Sequence, residues 1–285
     1  MTDRAVLACY AHPDDEQGVS GTLYKYVTSG IRTAILCATR GEVGEISDPA
    51  LATPETLGTV REQELRHAAA VIAVSDIYFL DYRDSGMVNT APNADPRAFI
   101  NADEHEAIGK IVKVMRNFRP TLVFTFDETG GYGHPDHLAI CKWTTAAFKL
   151  AGDANAYPDL GTPFAPSRLF YASIPRGMIH MMGEFLREQG VTSVFDGTDM
   201  TAMGLADERV TNRVDVKPLM TLKRRSLAEH RTQNNPNSPF AKIPEARWAE
   251  FRGVETFALV DGVPLPAGAD PADLFAGLPD TTTAK

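Results

Sequence analysis

Two short stretches concentrate the residue types that can do chemistry. His12-Pro13-Asp14-Asp15-Glu16 packs one imidazole and three carboxylates into five positions. Gly130-Gly131-Tyr132-Gly133-His134-Pro135-Asp136-His137 sets two imidazoles three residues apart behind a glycine run, just after Asp127 and Glu128. Two imidazole nitrogens and one carboxylate oxygen, with a coordination position left open, are the composition of catalytic zinc sites and need no thiolate. The same donors suit non-haem Fe(II). Each stretch also has a plainer reading as a helix start, because Asp caps helices and Pro fits the first turn. Capping accounts for one Asp and the Pro of the first stretch, but not for His12 or the second Asp. The second stretch taken alone reads equally well as a cap. The pair is more telling, since three of the seven histidines sit in or beside an H-P-D tripeptide. Other chemistries lack their signatures. There is no G-x-S-x-G elbow, no Lys-Ser/Thr after the glycines as a phosphate loop requires, and no G-x-G-x-x-G after the first apolar run.

The flanking elements must bring these stretches together. Ala5–Tyr10, Thr33–Ala38, Ile77–Leu80, Leu122–Phe126 and Leu169–Ser173 are short apolar runs and read as buried strands. Helical patterns alternate with them at Gln17–Ser29, Arg61–Ala73, Glu106–Phe118 and Pro135–Leu150. That alternation predicts an α/β fold, a Rossmann-like, mostly parallel sheet with right-handed crossovers and helices on both faces. Both polar stretches follow a strand directly. In open α/β sheets ligands collect beyond the carboxyl ends of strands. Later, Met178–Gln189 reads as a helix, Val210–Val216 as a short strand, and Pro218–Thr232 as a helix with proline in its first turn. Residues 1–260 are expected to form one domain. Residues 261–285, with four prolines, read as an irregular C-terminal extension or a loosely attached tail. Gly41–Gly58 and Arg83–Asp103 read as long loops of the kind that cover binding sites.

The 285 residues carry 28 Lys+Arg against 37 Asp+Glu, a net charge of −9, with no basic face to hold nucleic acid. No run approaches the roughly 18–20 apolar residues of a membrane helix, and the N-terminal apolar run is too short for a signal peptide. Cys9, Cys37 and Cys141 lie among apolar neighbours and read as buried thiols of a reducing compartment, so a cytoplasmic location is expected.

The stretch Ala11–Glu16 (A-H-P-D-D-E) and the stretch Gly131–His137 (G-Y-G-H-P-D-H) together resemble the LmbE-like (PIG-L) family of metal-dependent N-deacetylases. Thr39–Gly44, Arg61–Leu65, Tyr82–Met87 and the E-H-R-T-Q that closes Lys223–Gln233 add weaker matches. The resemblance implies a Rossmann-like sheet and hydrolysis of N-acetyl groups, often on N-acetylglucosaminyl conjugates. It also implies roles: His12, Asp15 and His137 as metal ligands, Asp14 as general base, and His134 stabilising the oxyanion. By the same resemblance Arg61 and Asp84 touch the sugar and Tyr132 stands near the reacting carbonyl.

Chemistry is consistent with those roles. An amide is a poor electrophile and neutral water a poor nucleophile, and a divalent cation remedies both. A carboxylate within reach can take the water's proton and pass it to the leaving amine. The expected protein is a zinc-dependent hydrolase that removes an N-acetyl group from a small amino-sugar conjugate. One alternative is an amidase on a different substrate, such as a thiol conjugate. Another is a non-catalytic carbohydrate-binding protein. The sequence leaves oligomeric state open.

Overall fold

A computed structural model describes residues 3–191, 203–236, 238, 241 and 243–279. Five parallel strands form the first part of one sheet: β1 (Ala5–Tyr10), β2 (Arg32–Cys37), β3 (Asp76–Phe79), β4 (Leu122–Thr125) and β5 (Arg168–Ala172). Two further strands, β6 (Asn212–Asp215) and β7 (Val254–Gly262), extend it, giving the spatial order β3-β2-β1-β4-β5-β7-β6. β7 runs antiparallel to both β5 and β6. The mixed, mostly parallel α/β sheet therefore matches the expected class.

β1 is apolar at all six positions and buried at all six, as a central strand covered on both faces must be. Its alternate residues feed two cores. Leu7 and Cys9 point to the layer containing α3 (Glu104–Phe118) and α5 (Pro135–Leu150). Val6, Ala8 and Tyr10 point to the layer with α1 (Ser20–Thr28) and α2 (Leu57–Val71). Helix α3 shows why the pattern was readable. Ile108, Ile111, Val112 and Met115 fall on one face and all are buried. The Asp103 side chain accepts the Glu106 N–H at 2.8 Å to cap its start. Each fully buried Leu, Ile or Phe in these layers contributes about 1.5–3 kcal/mol. The single turn α4 (Gly130–Gly133) leads into α5, and α6 (Arg176–Glu188), α7 (Met220–Glu229) and α8 (Glu245–Arg252) complete the helices.

Two expectations change. The first is β7, which the sequence reading missed. Glu255 and Thr256 interrupt its apolar run, yet they are buried. Glu255 tolerates burial because its carboxylate accepts the Gly21 and Thr22 N–H groups at 3.0 and 2.7 Å at the start of α1 and pairs with Lys223. The second concerns the C-terminal extension, which is not loosely attached over its described part. Leu274, Phe275 and Leu278 sit in the α1/α2-side core. The Arg168 guanidinium, wholly buried, donates to the carbonyls of Val263, Pro264, Leu274 and Ala276 at 2.7–3.0 Å. Residues 280–285 lie outside the described residues. Among the described residues no helix is long and apolar enough to cross a membrane. The three cysteines are buried and unpaired, and burial pushes the Cys9 and Cys141 thiols up to about 12.

Candidate metal centre

The β1–α1 turn and the α4–α5 turn leave adjacent parallel strands at the same rim, so their side chains meet. His12 Nδ1 lies 3.3 Å from His137 Nε2 and 3.6 Å from Asp15 Oδ2, and His137 Nε2 lies 3.3 Å from Asp15 Oδ1. Donors about 2.0–2.1 Å from a tetrahedral ion stand about 3.3–3.4 Å from one another. The two imidazole nitrogens are spaced as such an ion would space them, and the Asp15 carboxylate turns one oxygen toward each.

Their tautomers point the same way. The far nitrogen of His137, Nδ1, faces the Gly130 carbonyl at 2.9 Å and must donate its proton there. The far nitrogen of His12, Nε2, faces the Asp136 carboxylate at 3.1 Å and the Asp84 carboxylate at 3.5 Å. With both far nitrogens committed as donors, two imidazole lone pairs and a carboxylate converge on one point. Only a cation or a proton satisfies that arrangement. Burial works against charging His12, yet the hydrogen bonds to Asp136 and Asp84 raise its pKa well above the ordinary imidazole value. The same imidazole can hold a proton where the ion would sit.

Two other groupings of potential ligands are already engaged in support. Asp136 accepts from the Ser85 N–H at 2.9 Å and from the Ser85 hydroxyl as well as from His12. Asp84 accepts from the Val43 and Gly86 N–H groups, and its carboxyl, though buried, is held low by His12. His134 caps α5 by accepting the Asp136 N–H on Nδ1 at 3.2 Å. That fixes its proton on Nε2. Burial and the neighbouring His12 and His137 hold it neutral, with its pKa down to about 4.

Asp14 is adjacent to the donors in an unusual backbone state, φ 99° and ψ −22°. Its N–H donates to Glu16 Oε2 at 2.9 Å. Its carboxylate meets the Arg61 guanidinium at 3.2 Å. Burial pushes both Asp14 and Asp15 up to about 6, against the pull of Arg61 on the first and of His12 on the second; a bound divalent cation reverses that trend.

Arg61 was expected at the sugar. Here it is buried behind Asp14, donating also to the Pro13 and Gly41 carbonyls at 2.6 and 3.0 Å. A side chain at Gly41 or Gly44 would overlap the guanidinium, with a Cβ 2.1 or 2.5 Å from Nη1. The glycines of the Thr39–Gly44 stretch are therefore the cradle for this arginine. Tyr132 is half-exposed, its ring 5.0 Å from that of His137. It shares with Asp14, Asp15 and His137 a cavity of about 280 Å³.

Sequence reasoning missed Ser85, Glu16 and His230. Glu16 is wholly buried and paired with His230 Nε2 at 2.7 Å. The one available signal was a histidine in the late E-H-R-T-Q stretch whose burial the sequence alone does not reveal.

Comparison with known proteins agrees with this architecture. Residues 7–148 match the family model described as PIG-L, GlcNAc-PI de-N-acetylase. The chain is 37% identical over 289 residues to the 1D-myo-inositol 2-acetamido-2-deoxy-alpha-D-glucopyranoside deacetylase of Geodermatophilus obscurus, covering 97% of this chain and 98% of that one. Among solved structures, the N,N'-diacetylchitobiose deacetylase of Pyrococcus horikoshii superposes with a TM-score of 0.64 at 20% identity, over 90% of this chain and 84% of that one. The 4-carboxy-2-hydroxymuconate hydratase GalB of Pseudomonas putida KT2440 also superposes with a TM-score of 0.64, at 16% identity over 93% of this chain and 100% of that one. A shared fold at that identity does not decide the reaction. The full-length relationship does: the chain belongs to the PIG-L (LmbE-like) family and is a deacetylase, a hydrolase of amide C–N bonds. Its near relatives over their whole length are inositol-glucosaminide deacetylases.

Proposed function

We propose that this deacetylase acts on an N-acetylglucosaminyl conjugate of a small polar aglycone, using zinc held by His12, Asp15 and His137. The convergence of two imidazole nitrogens and the Asp15 carboxylate, all within 3.3–3.6 Å of one another, supports the metal reading. The names of its near relatives carry the substrate class. A divalent cation at this position lowers the pKa of water and polarises an acetamide carbonyl.

The chain's own residues supply the rest. Asp14, with its carboxylate steadied by Arg61 and still partly open to the cavity, removes the proton from the attacking water. The same carboxyl then delivers that proton to the departing amine. His134 acts as a neutral donor through Nε2–H, because Nδ1 is occupied by the Asp136 N–H. Such a donor aimed at the developing oxyanion is worth about 3–4 kcal/mol. Tyr132 lines the cavity beside His137 and stands near the reacting carbonyl. Arg61 and Asp84 act by orienting Asp14 and His12.

The purified protein should hold about one divalent ion per chain by elemental analysis. It should release acetate and free amine in equal amounts from N-acetylglucosaminyl inositol. A protein that holds the ion but leaves every N-acetylglucosaminide intact, while cleaving larger amide conjugates, would move the assignment to an amidase.

A further inference from the structure

The E-H-R-T-Q stretch at the end of α7 does not line the cavity above the donor triad, yet it reaches Asp14 from two sides. On the first side, His230 Nε2 stands 2.7 Å from Glu16 Oε1, and both side chains are wholly buried. The other oxygen of Glu16 accepts the Asp14 N–H at 2.9 Å. Gln17 Nε2 steadies Glu16 further, donating to its Oε1 at 2.6 Å and to Ser226 Oγ of α7 at 2.9 Å. His230 Nδ1 is buried without a partner among the described residues. A ring kept only to fill space would cost less as an apolar side chain. The one side-chain hydrogen bond that His230 makes among the described residues is the one that turns Glu16 toward Asp14.

On the second side, Thr232 donates its N–H and its hydroxyl to the two carboxylate oxygens of Glu64, at 2.8 and 2.6 Å. Glu64 and Arg61 are buried one turn apart on α2. The Thr232 carbonyl accepts the Ser47 N–H and the Arg231 carbonyl accepts the Ser47 hydroxyl, both at 2.8 Å. Gln233 Nε2 donates to the Glu45 carbonyl at 2.9 Å. These bonds fasten the loop that begins with the Gly41–Gly44 cradle, and the cradled Arg61 holds the Asp14 carboxylate. The donor triad is held by other groups. The Asp15 carboxylate accepts the His12 N–H at 2.8 Å, and the His12 and His137 rings are set by Asp136 and the Gly130 carbonyl. Asp14 and Asp15 are neighbours in the chain, but only Asp14 is clasped from α7.

We infer that His230 and Thr232 are positioning residues for the general base: through Glu16 they fix the Asp14 backbone, and through the Arg61 cradle its carboxylate, without touching substrate or metal. The strained left-handed backbone of Asp14 requires such a hold from outside its own turn. The inference rests on the deacetylase reading, because it takes Asp14 as the base. It deepens that reading by naming what places the base.

The test compares His230→Ala and Thr232→Val with Leu278→Ala, a stability control beside Arg4 at the opposite end of β1. Each is made alone and in the Asp14→Asn background, and each is assayed on N-acetylglucosaminyl inositol well below its unfolding temperature. His230→Ala should lower kcat about 10- to 100-fold, and Thr232→Val by a smaller factor in the same direction. KM, metal content and metal affinity by chelator competition should stay at wild-type values, and Leu278→Ala should keep wild-type kcat. In the Asp14→Asn background the two substitutions should cost nothing further, because a residue that acts through a carboxylate loses its effect with it. Wild-type kcat in both single variants, or losses that persist undiminished in that background, overturn the proposal. A second measurement needs neither metal nor turnover. Amide exchange of residues 14–17 and 41–47 in the metal-free protein should quicken in His230→Ala and Thr232→Val but not in Leu278→Ala. Exchange unchanged in Thr232→Val and His230→Ala overturns the clasp, and Thr232→Val alone decides the matter should His230→Ala fail to fold. Quickened exchange together with a wild type that releases no acetate leaves the clasp standing and removes the deacetylase reading.

Discussion

At residue scale the decisive feature is the backbone of Asp14. A non-glycine residue at φ 99° is strained by about 1–2 kcal/mol. The strain is held by Glu16, which accepts the Asp14 N–H, and by Arg61, which grips the Pro13 carbonyl and the Asp14 carboxylate. Replacing the carboxylate without changing its shape isolates its chemical role. Asp14→Asn should lower kcat about 100- to 10,000-fold while metal content by elemental analysis stays at wild-type level. Asp136→Asn should do the reverse, weakening metal affinity about 10- to 100-fold in a chelator competition, because it releases the far nitrogen of His12. Acid should act at the same donors. Asp15 takes a proton near pH 6 in the absence of the ion, and His12 holds one well above its ordinary value. Protons therefore compete with the cation, and apparent metal affinity should fall steadily as pH drops through about 6. A chelator titration at pH 5.5 and 7.5 measures this, and equal affinities would exclude these ligands.

At element scale, the strands with continuous apolar runs were legible from the sequence. β1 and α5 have the bounds expected of them, and both carry unbroken patterns between clear stops. β7 was hidden because its buried Glu255 is a polar residue stabilised by partners more than two hundred positions away in the chain. The two motif turns stood out because capping accounts for only part of the first stretch, and because histidine recurs with the same Pro-Asp pair after two separate strands. Ser85 and Glu16 were not, since a serine and a glutamate become informative only once their partners are known. The link between the Asp15–Gly18 turn and the end of α7 has its own signature. Burial opposes the imidazolium of His230, but Glu16 outweighs it and raises the pKa. Burial likewise opposes ionised Glu16, and His230 brings its pKa below the usual value. The His230 share of the stability is complete below about pH 6.5 and fades as pH climbs through its raised native value; the Glu16 share is present above about pH 4.5 and is lost as pH falls through its lowered one. Unfolding free energies of wild type and His230→Gln in urea should therefore differ most near pH 5.5, by about 1–3 kcal/mol, and draw together as pH rises through the raised native value.

At the scale of the whole molecule, Arg168 ties the C-terminal segment to β5, the interior strand at which parallel pairing gives way to antiparallel. Arg168→Met would strand several buried carbonyls and should destabilise the protein by about 3–5 kcal/mol in urea unfolding. The hydrolytic groups all hang from the parallel strands, whereas the far wall of the cavity is built by β6, β7 and α8. On the proposed reading, the groups assigned to hydrolysis and the wall that the rest of a conjugate would meet stand in separate provinces of one sheet, joined along β5. Substitutions in the antiparallel province should therefore change which conjugates are accepted while acetate release from a simple N-acetylglucosaminide persists.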